Sequence, residues 1–215
     1  MRAGDGRGLT CAYVADMGGA GVDPAVERVC REAALRLAEA GVVVEESDFS
    51  LGEFLHAFRD LRGLWMVGWQ FDRLDRLERL GENTRGNVAY GLTLDTRRIA
   101  AAQRGRAAAW HKMRAFFAHN DALLTPYVAV PPFPVELNHP PDIAGRPLET
   151  YVDWLIATFL VSITGLPAAS APAGLAPDGL PVGLQIVGPQ FGEERVLTLA
   201  KVVQQTGPFG PPPAP

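Results

Sequence analysis

Leu9-Thr-Cys-Ala-Tyr-Val14, followed by Gly18-Gly19, Asp23-Pro24 and then Gly41-Val-Val-Val44, is the stretch from which the architecture is read. Residues 9–14 are short, apolar and β-prone, and the glycine pair behind them marks a turn. Asp23 before Pro24 is a helix start. The aspartate can accept a bond from a free backbone N–H, and proline at the first helical position sacrifices no donor. Val26, Val29, Cys30, Ala33, Ala34 and Leu37 then recur at the helical period, and Gly41 supplies the stop. Residues 42–44 are again strand-like. Strand, helix and strand in this order predict a β-α-β unit and a sheet with parallel pairing.

Outward from that unit the pattern is mostly helical. Phe54, Phe58, Leu61, Trp65, Trp69, Leu74 and Leu77 predict a helix over residues 54–80, with Gly63 and Gly68 as possible breaks. Asp72–Arg76 and Asp75–Arg79 are spaced for ion pairs on its solvated face. Thr93 and Asp95 are caps for a next helix, with Ile99, Ala102, Ala109, Trp110, Met113, Phe116 and Phe117 as its buried stripe. Residues 121–126 read as a strand closed by Pro126. Seven prolines between 126 and 147 predict a surface loop without regular structure over 127–148. A helix over 148–163, strands at 168–171 and 182–187, and a terminal helix over 193–205 complete the pattern. Pro177-Asp-Gly-Leu-Pro181 is the turn between the last strands. The expected fold class is α/β, a mixed β-sheet flanked by helices, in one domain over 1–206 with a Pro/Gly-rich tail over 207–215.

Composition excludes several classes of function. The 215 residues carry 20 Lys+Arg against 24 Asp+Glu, a net charge of −4, which disfavours nucleic acid and anionic membranes as partners. With 47% apolar and 20% charged residues the chain can bury a large core. The longest uncharged run, between Asp153 and Asp178, is broken by Gly165, Pro167, Pro172 and Gly174, so it reads as a buried helix entering a buried strand rather than a membrane span. The polar start with Asp5 is unlike an export signal, and two cysteines make no disulfide framework, so a cytoplasmic location is expected. His56, His111, His119 and His139 are scattered and no Cys-x-x-Cys occurs, so no metal is expected. Gly18-Gly19-Ala-Gly21 lacks the spacing of a phosphate cradle, and no cofactor is expected. Arg97, Arg98, Arg104 and Arg106 are able to meet an anionic partner, although a solvated surface explains them more simply.

The nucleophiles are few. The four serines are Ser47, Ser50, Ser162 and Ser170, none in a Gly-x-Ser-x-Gly elbow, and the two lysines are Lys112 and Lys201. Ser162 and Ser170 lie in apolar surroundings and read as buried hydroxyls. However, the segment around them is informative. Ser162-Ile-Thr-Gly-Leu-Pro-Ala-Ala-Ser-Ala-Pro-Ala-Gly174, then Gly179-Leu-Pro-Val-Gly-Leu-Gln-Ile-Val-Gly188, then Phe191-Gly-Glu-Glu-Arg-Val-Leu197 resembles the C-terminal region of the amidase signature family. Asp121-Ala-Leu-Leu-Thr-Pro126 and residues 9–37 are similar to further segments of that family, so the resemblance covers essentially the whole chain.

The resemblance implies hydrolysis of amide C–N bonds by a serine nucleophile, a second serine in a cis peptide and a lysine base, with a backbone oxyanion hole. Those parts belong to the family's N-terminal half. The chain is therefore read as a C-terminal portion lacking the catalytic triad, to which no catalytic residue is carried over, and it is expected to be inactive alone. The resemblance also implies a substrate-pocket wall, for which Trp65, Trp69, Tyr127, Trp154 and Phe159 are candidates alongside a plain core role. In the glutamine-dependent amidotransferase branch an acidic residue stands ten positions before the glycine of Gly165-Leu-Pro167. Leu155 stands there in this chain, and Trp154 is similar to the general amidase branch. Two alternatives stay open: a non-catalytic remnant or binding and assembly module, and, more weakly, a glutamine amidotransferase subunit. The expected partners are a small amide substrate, once joined to a catalytic N-terminal half, and either that half or a second copy of this chain.

Overall fold

The structure, a computed structural model, describes residues 5–148 and 150–208. Strand β1 (Thr10–Tyr13) leads into helix α1 (Pro24–Glu39), with the Asp23 carboxylate accepting from the Ala25 N–H at 2.8 Å and Pro24 opening the helix. The helix ends at Ala40, and Gly41 takes a φ of 99°, a left-handed turn that returns the chain to β2 (Val43–Glu46). β2 pairs parallel with β1, so the β-α-β unit forms as its spacing predicts.

After a 3-10 turn at Gly52–Phe54 come α2 (Leu55–Trp69), α3 (Glu82–Leu92) and α4 (Thr96–Phe116). Asp95 caps α4 by accepting from the Arg98 N–H at 2.7 Å. The single helix expected over 54–80 ends instead at Trp69. Its remainder, Phe71–Arg79, is 3-10 in character, breaks at Arg76 and buries nothing. Leu74 and Leu77 alone present too narrow an apolar stripe to hold an α-helix there by packing. The two expected i,i+4 ion pairs accordingly do not form, and Arg76 meets Asp75 at 3.6 Å. Helix α3 was not expected: only Val88 and Gly91 are buried on it, which leaves almost no periodic signal.

Strand β3 (Ala122–Pro126) is buried throughout. The proline-rich stretch is not wholly irregular, because β4 (Asp142–Ile143) and β5 (Arg146–Pro147) form a small hairpin. Its turn residues Ala144 and Gly145 both have positive φ, 50° and 81°, the backbone such a tight turn requires. The helix expected over 148–163 is confined to a 3-10 turn at Asp153–Leu155 and α5 (Ile156–Ser162), since Asp153 ties Thr150 into a turn ahead of it. Strands β6 (Ala168–Leu175) and β7 (Pro181–Val187) and helix α6 (Glu193–Thr206) close the described chain. Most of the expected tail lies outside the described residues.

All five expected strands join one sheet, in the order β2-β1-β3-β7-β6. β2, β1 and β3 run parallel, and β7 and β6 complete the sheet antiparallel. The strand period of two sends neighbouring residues to opposite faces. Leu124 and Ile186 face α1 and α6, where Leu37 and Leu199 are fully buried, whereas Leu123 and Val187 face Met17, Phe58, Met113 and Leu160 on the other side. Cys11 and Cys30 lie buried and unpaired in the first core, and burial pushes both thiols up to about 12. No helix among the described residues is long and apolar enough to cross a membrane.

Candidate functional site

Three helices on the second face of the sheet enclose a groove of about 640 Å³. Phe58, Leu61, Arg62 and Trp65 line it from α2, at the i, i+3, i+4, i+7 spacing of one helical face. Phe159, Ser162 and Ile163 line it from α5 and just beyond, and Gln103 and Arg106 from α4. A neighbouring lobe of about 450 Å³ shares Gln103, Arg106, Ser162 and Ile163 and continues past Trp110, His111 and Thr164.

Small residues let the helices close on this site. A Cβ on Gly105 would stand 2.6 Å from the Ala57 Cβ, so α4 lies directly on α2. A Cβ on Gly91 would stand 2.2 Å from the Gly63 carbonyl oxygen, so α3 also lies directly on α2. In the groove Phe58 and Phe159 stack at 5.2 Å with an interplanar angle of 18°, and the Arg62 guanidinium sits 5.2 Å from the Phe159 ring centre.

Of the candidate wall residues, the structure brings Trp65 and Phe159 into this groove. Trp69, one turn along α2, packs on Trp65 at 4.0 Å and is 67% exposed. Tyr127 and Trp154 lie elsewhere, near the start of α5. The Tyr127 carbonyl accepts the Thr158 hydroxyl, while the Trp154 ring packs edge-on to Phe133 at 5.2 Å in a small separate cluster. Arg62 and Gln103 were missed as wall residues. The signal for Arg62 was its place four residues beyond Phe58; Gln103 carries none.

Around the groove charge is arranged unevenly. The Arg59 guanidinium donates to Asp153 at 2.9 Å, and Arg98 donates to Asp60 at 2.7 Å. Both carboxylates are nearly buried, and each holds further donors: Thr150 N–H and hydroxyl at 2.8 Å on Asp153, the Tyr90 hydroxyl at 2.5 Å on Asp60. Burial alone would raise the Asp153 carboxyl, but the Thr150 bonds and Arg59 outweigh it and hold the group below its ordinary value. Among the described residues Arg62 has only neutral hydrogen-bond partners, Asn87 at 3.1 Å and Tyr151 at 3.0 Å. Among the described residues Arg106 has no polar partner.

The serines and lysines are placed apart. Ser162 donates to the Phe159 carbonyl at 2.6 Å and Ser50 to the Met17 carbonyl at 3.0 Å, so neither hydroxyl is directed at a base. Lys112 donates to Glu53 at 2.9 Å, and Lys201 lies exposed on α6. Among the described residues no lysine bonds a serine, and no group of three His, Cys, Asp or Glu is placed to hold a metal.

A five-stranded mixed sheet with helices on both faces defines an α/β fold, with the groove beneath three of those helices. The family model described as Amidase matches residues 2–197, and the chain belongs to this family. It is 30% identical over 217 residues to an acylamidase of Rhodococcus erythropolis, covering 96% of this chain and 44% of that one. It is 38% identical over 101 residues to a glutamyl-tRNA(Gln) amidotransferase subunit of Methylocella silvestris, covering 46% of this chain and 20% of the relative. Among solved structures, a bacterial aryl acylamidase of the amidase signature family superposes with a TM-score of 0.81 at 23% identity, covering 95% of this chain and 44% of that chain. The chain thus spans less than half the length of each of these relatives.

Proposed function

We propose that this chain is the wall-bearing portion of an amide hydrolase, which cleaves a C–N bond only together with polypeptide carrying the Ser–cis-Ser–Lys set. The observation that carries this reading is the one-sided coverage: nearly all of this chain matches the acylamidase, and 44% of the acylamidase matches this chain. The serine and lysine placement supports it, since a serine is activated by a hydrogen-bonded base, whereas Ser162 and Ser50 donate to backbone carbonyls and among the described residues no lysine bonds a serine. In this reading Trp65 and Phe159 belong to the chain's share of the substrate cavity, with Trp69 at its rim, while Tyr127 and Trp154 stand outside this groove.

The test is complementation. The purified chain is expected to turn over para-nitroacetanilide no faster than buffer and to take up no fluorophosphonate. Co-expressed with the N-terminal portion of the Rhodococcus acylamidase, it is expected to give a stable complex with measurable anilide hydrolysis. Stoichiometric serine labelling and turnover by the chain alone would overturn the reading.

The second reading, a non-catalytic binding or assembly module, draws on the exposed aromatic face of α2; a stable complex with no hydrolysis is the result that selects it. The amidotransferase reading is disfavoured by Leu155 and by the commitment of the nearby Asp153 to Arg59 and Thr150. A substrate ammonium would have to compete with those partners.

A further inference from the structure

The groove is apolar in its floor and cationic at its rim. Phe58, Leu61, Trp65 and Phe159 supply the flat apolar surface. Among the described residues no Asp or Glu lines either the groove or its neighbouring lobe, although the chain carries 24 acidic residues and a net charge of −4. The arginines separate by role. Arg59 and Arg98, on the same two helices, are paired with Asp153 and Asp60. Arg62 and Arg106 line the groove, and among the described residues neither has a carboxylate partner. Arg62 is also held in place, by Asn87, Tyr151 and the Phe159 ring, so little side-chain freedom is lost when it receives an anion.

We infer that this groove binds an arylalkyl carboxylate, the aromatic ring lying against Phe58, Phe159 and Trp65 and the carboxylate meeting the guanidinium groups of Arg106 and Arg62. A planar guanidinium offers two parallel donors to a carboxylate, and partial burial beside aromatic rings strengthens that contact. The volume of about 640 Å³ lies in the range of small-ligand sites. The inference rests on the reading of the groove as part of a ligand cavity, and not on catalysis by either portion of an amidase.

The experiment is a titration of the whole ¹⁵N-labelled chain, following the indole N–H signals of Trp65 and Trp110, which Trp65→Phe and Trp110→Phe variants assign. The probes are hydrocinnamate, its neutral amide hydrocinnamide, and the cation phenylpropylammonium. Hydrocinnamate is expected to shift the Trp65 signal saturably, the amide to bind about tenfold more weakly, and the cation to bind weakest. Arg106→Gln, an exposed position, is expected to abolish the preference of acid over amide, and Arg104→Gln, which does not line the groove, to leave it intact. Equal binding of acid and amide, an unchanged preference in Arg106→Gln, or no saturable shift at Trp65 would each overturn the inference. Because the readout is binding to the chain alone, its failure leaves the complementation result standing, and failed complementation leaves a positive titration standing.

Discussion

Asp153 shows how much one carboxylate organises. It closes the turn at Thr150, anchors Arg59 of α2, and so holds the segment before α5 against the helical layer. Its pKa is lowered in the folded state, so its contribution is fully present above the ordinary aspartate value of about 3.9 and is lost as pH falls through the lowered native value. Asp153→Asn is expected to cost about 1–3 kcal/mol at neutral pH, by leaving Arg59 without its counter-charge. In urea denaturation across a pH series, the gap between wild type and variant should hold down to about pH 4 and then narrow. A gap that widens with acidification would refute the assignment. The cysteines offer a second check at this scale. Burial raises both thiols to about 12, so Ellman's reagent at pH 8 should label neither Cys11 nor Cys30 until the chain unfolds.

Among the elements, the helical layer depends on missing side chains. α2 meets α3 through Gly63 and Gly91, and meets α4 through Ala57 and Gly105. Gly91→Ala must drive its methyl into the Gly63 carbonyl and the Val67 side chain, so the helices separate or shift. A loss of about 1–3 kcal/mol in denaturant unfolding is expected. Gly68, also on α2, has nothing within 4 Å of an added Cβ and no positive φ. Gly68→Ala should therefore stabilise the chain, by up to about 1 kcal/mol. If the two substitutions behaved alike, close helix packing would not be what Gly91 provides. The same closeness explains why α3 exists although its own stripe is so sparse.

Over the whole molecule, the surface to account for is the aromatic C-terminal end of α2, beside the groove. Trp65 is 51% exposed and Trp69, packed against it, 67%, and Phe71 two residues further on is 69% exposed, aromatic surface of the kind that marks an interface. The sheet edges are better protected. β2 carries Glu45 and Glu46 outward, the latter paired with Arg31, and β6 is interrupted by Pro172 and a register shift between Pro172 and Gly174. Association of the isolated chain should therefore run through α2 rather than through strand pairing. Sedimentation velocity over a concentration series is expected to show self-association that Trp69→Ser with Phe71→Ser reduces. A monomer at all concentrations, binding no hydrophobic dye, would show that this face needs no cover.

Local chemistry made the sheet side of the molecule legible in advance. Asp23-Pro24, Gly41 and the short apolar runs at 9–14, 42–44, 121–126, 168–171 and 182–187 are local signals, so all five strands and the α1 crossover could be read from them. The resemblance to amidases was likewise carried by contiguous motifs in the last third. The helical layer was less legible. The end of α2 at Trp69, the existence of α3 and the shortness of α5 depend on where neighbouring helices offer or withhold a packing surface. Sequence spacing does not record that surface. The groove follows the same rule. Trp65 and Phe159 are 94 residues apart in the chain. They share a cavity only because Gly105 lets α4 close against α2 and α5 crosses the same face of the sheet. Whether an arginine is paired or free is equally a three-dimensional matter. Arg59 and Arg62 stand three residues apart on one helix, and only the fold brings a carboxylate to the first and an open groove to the second.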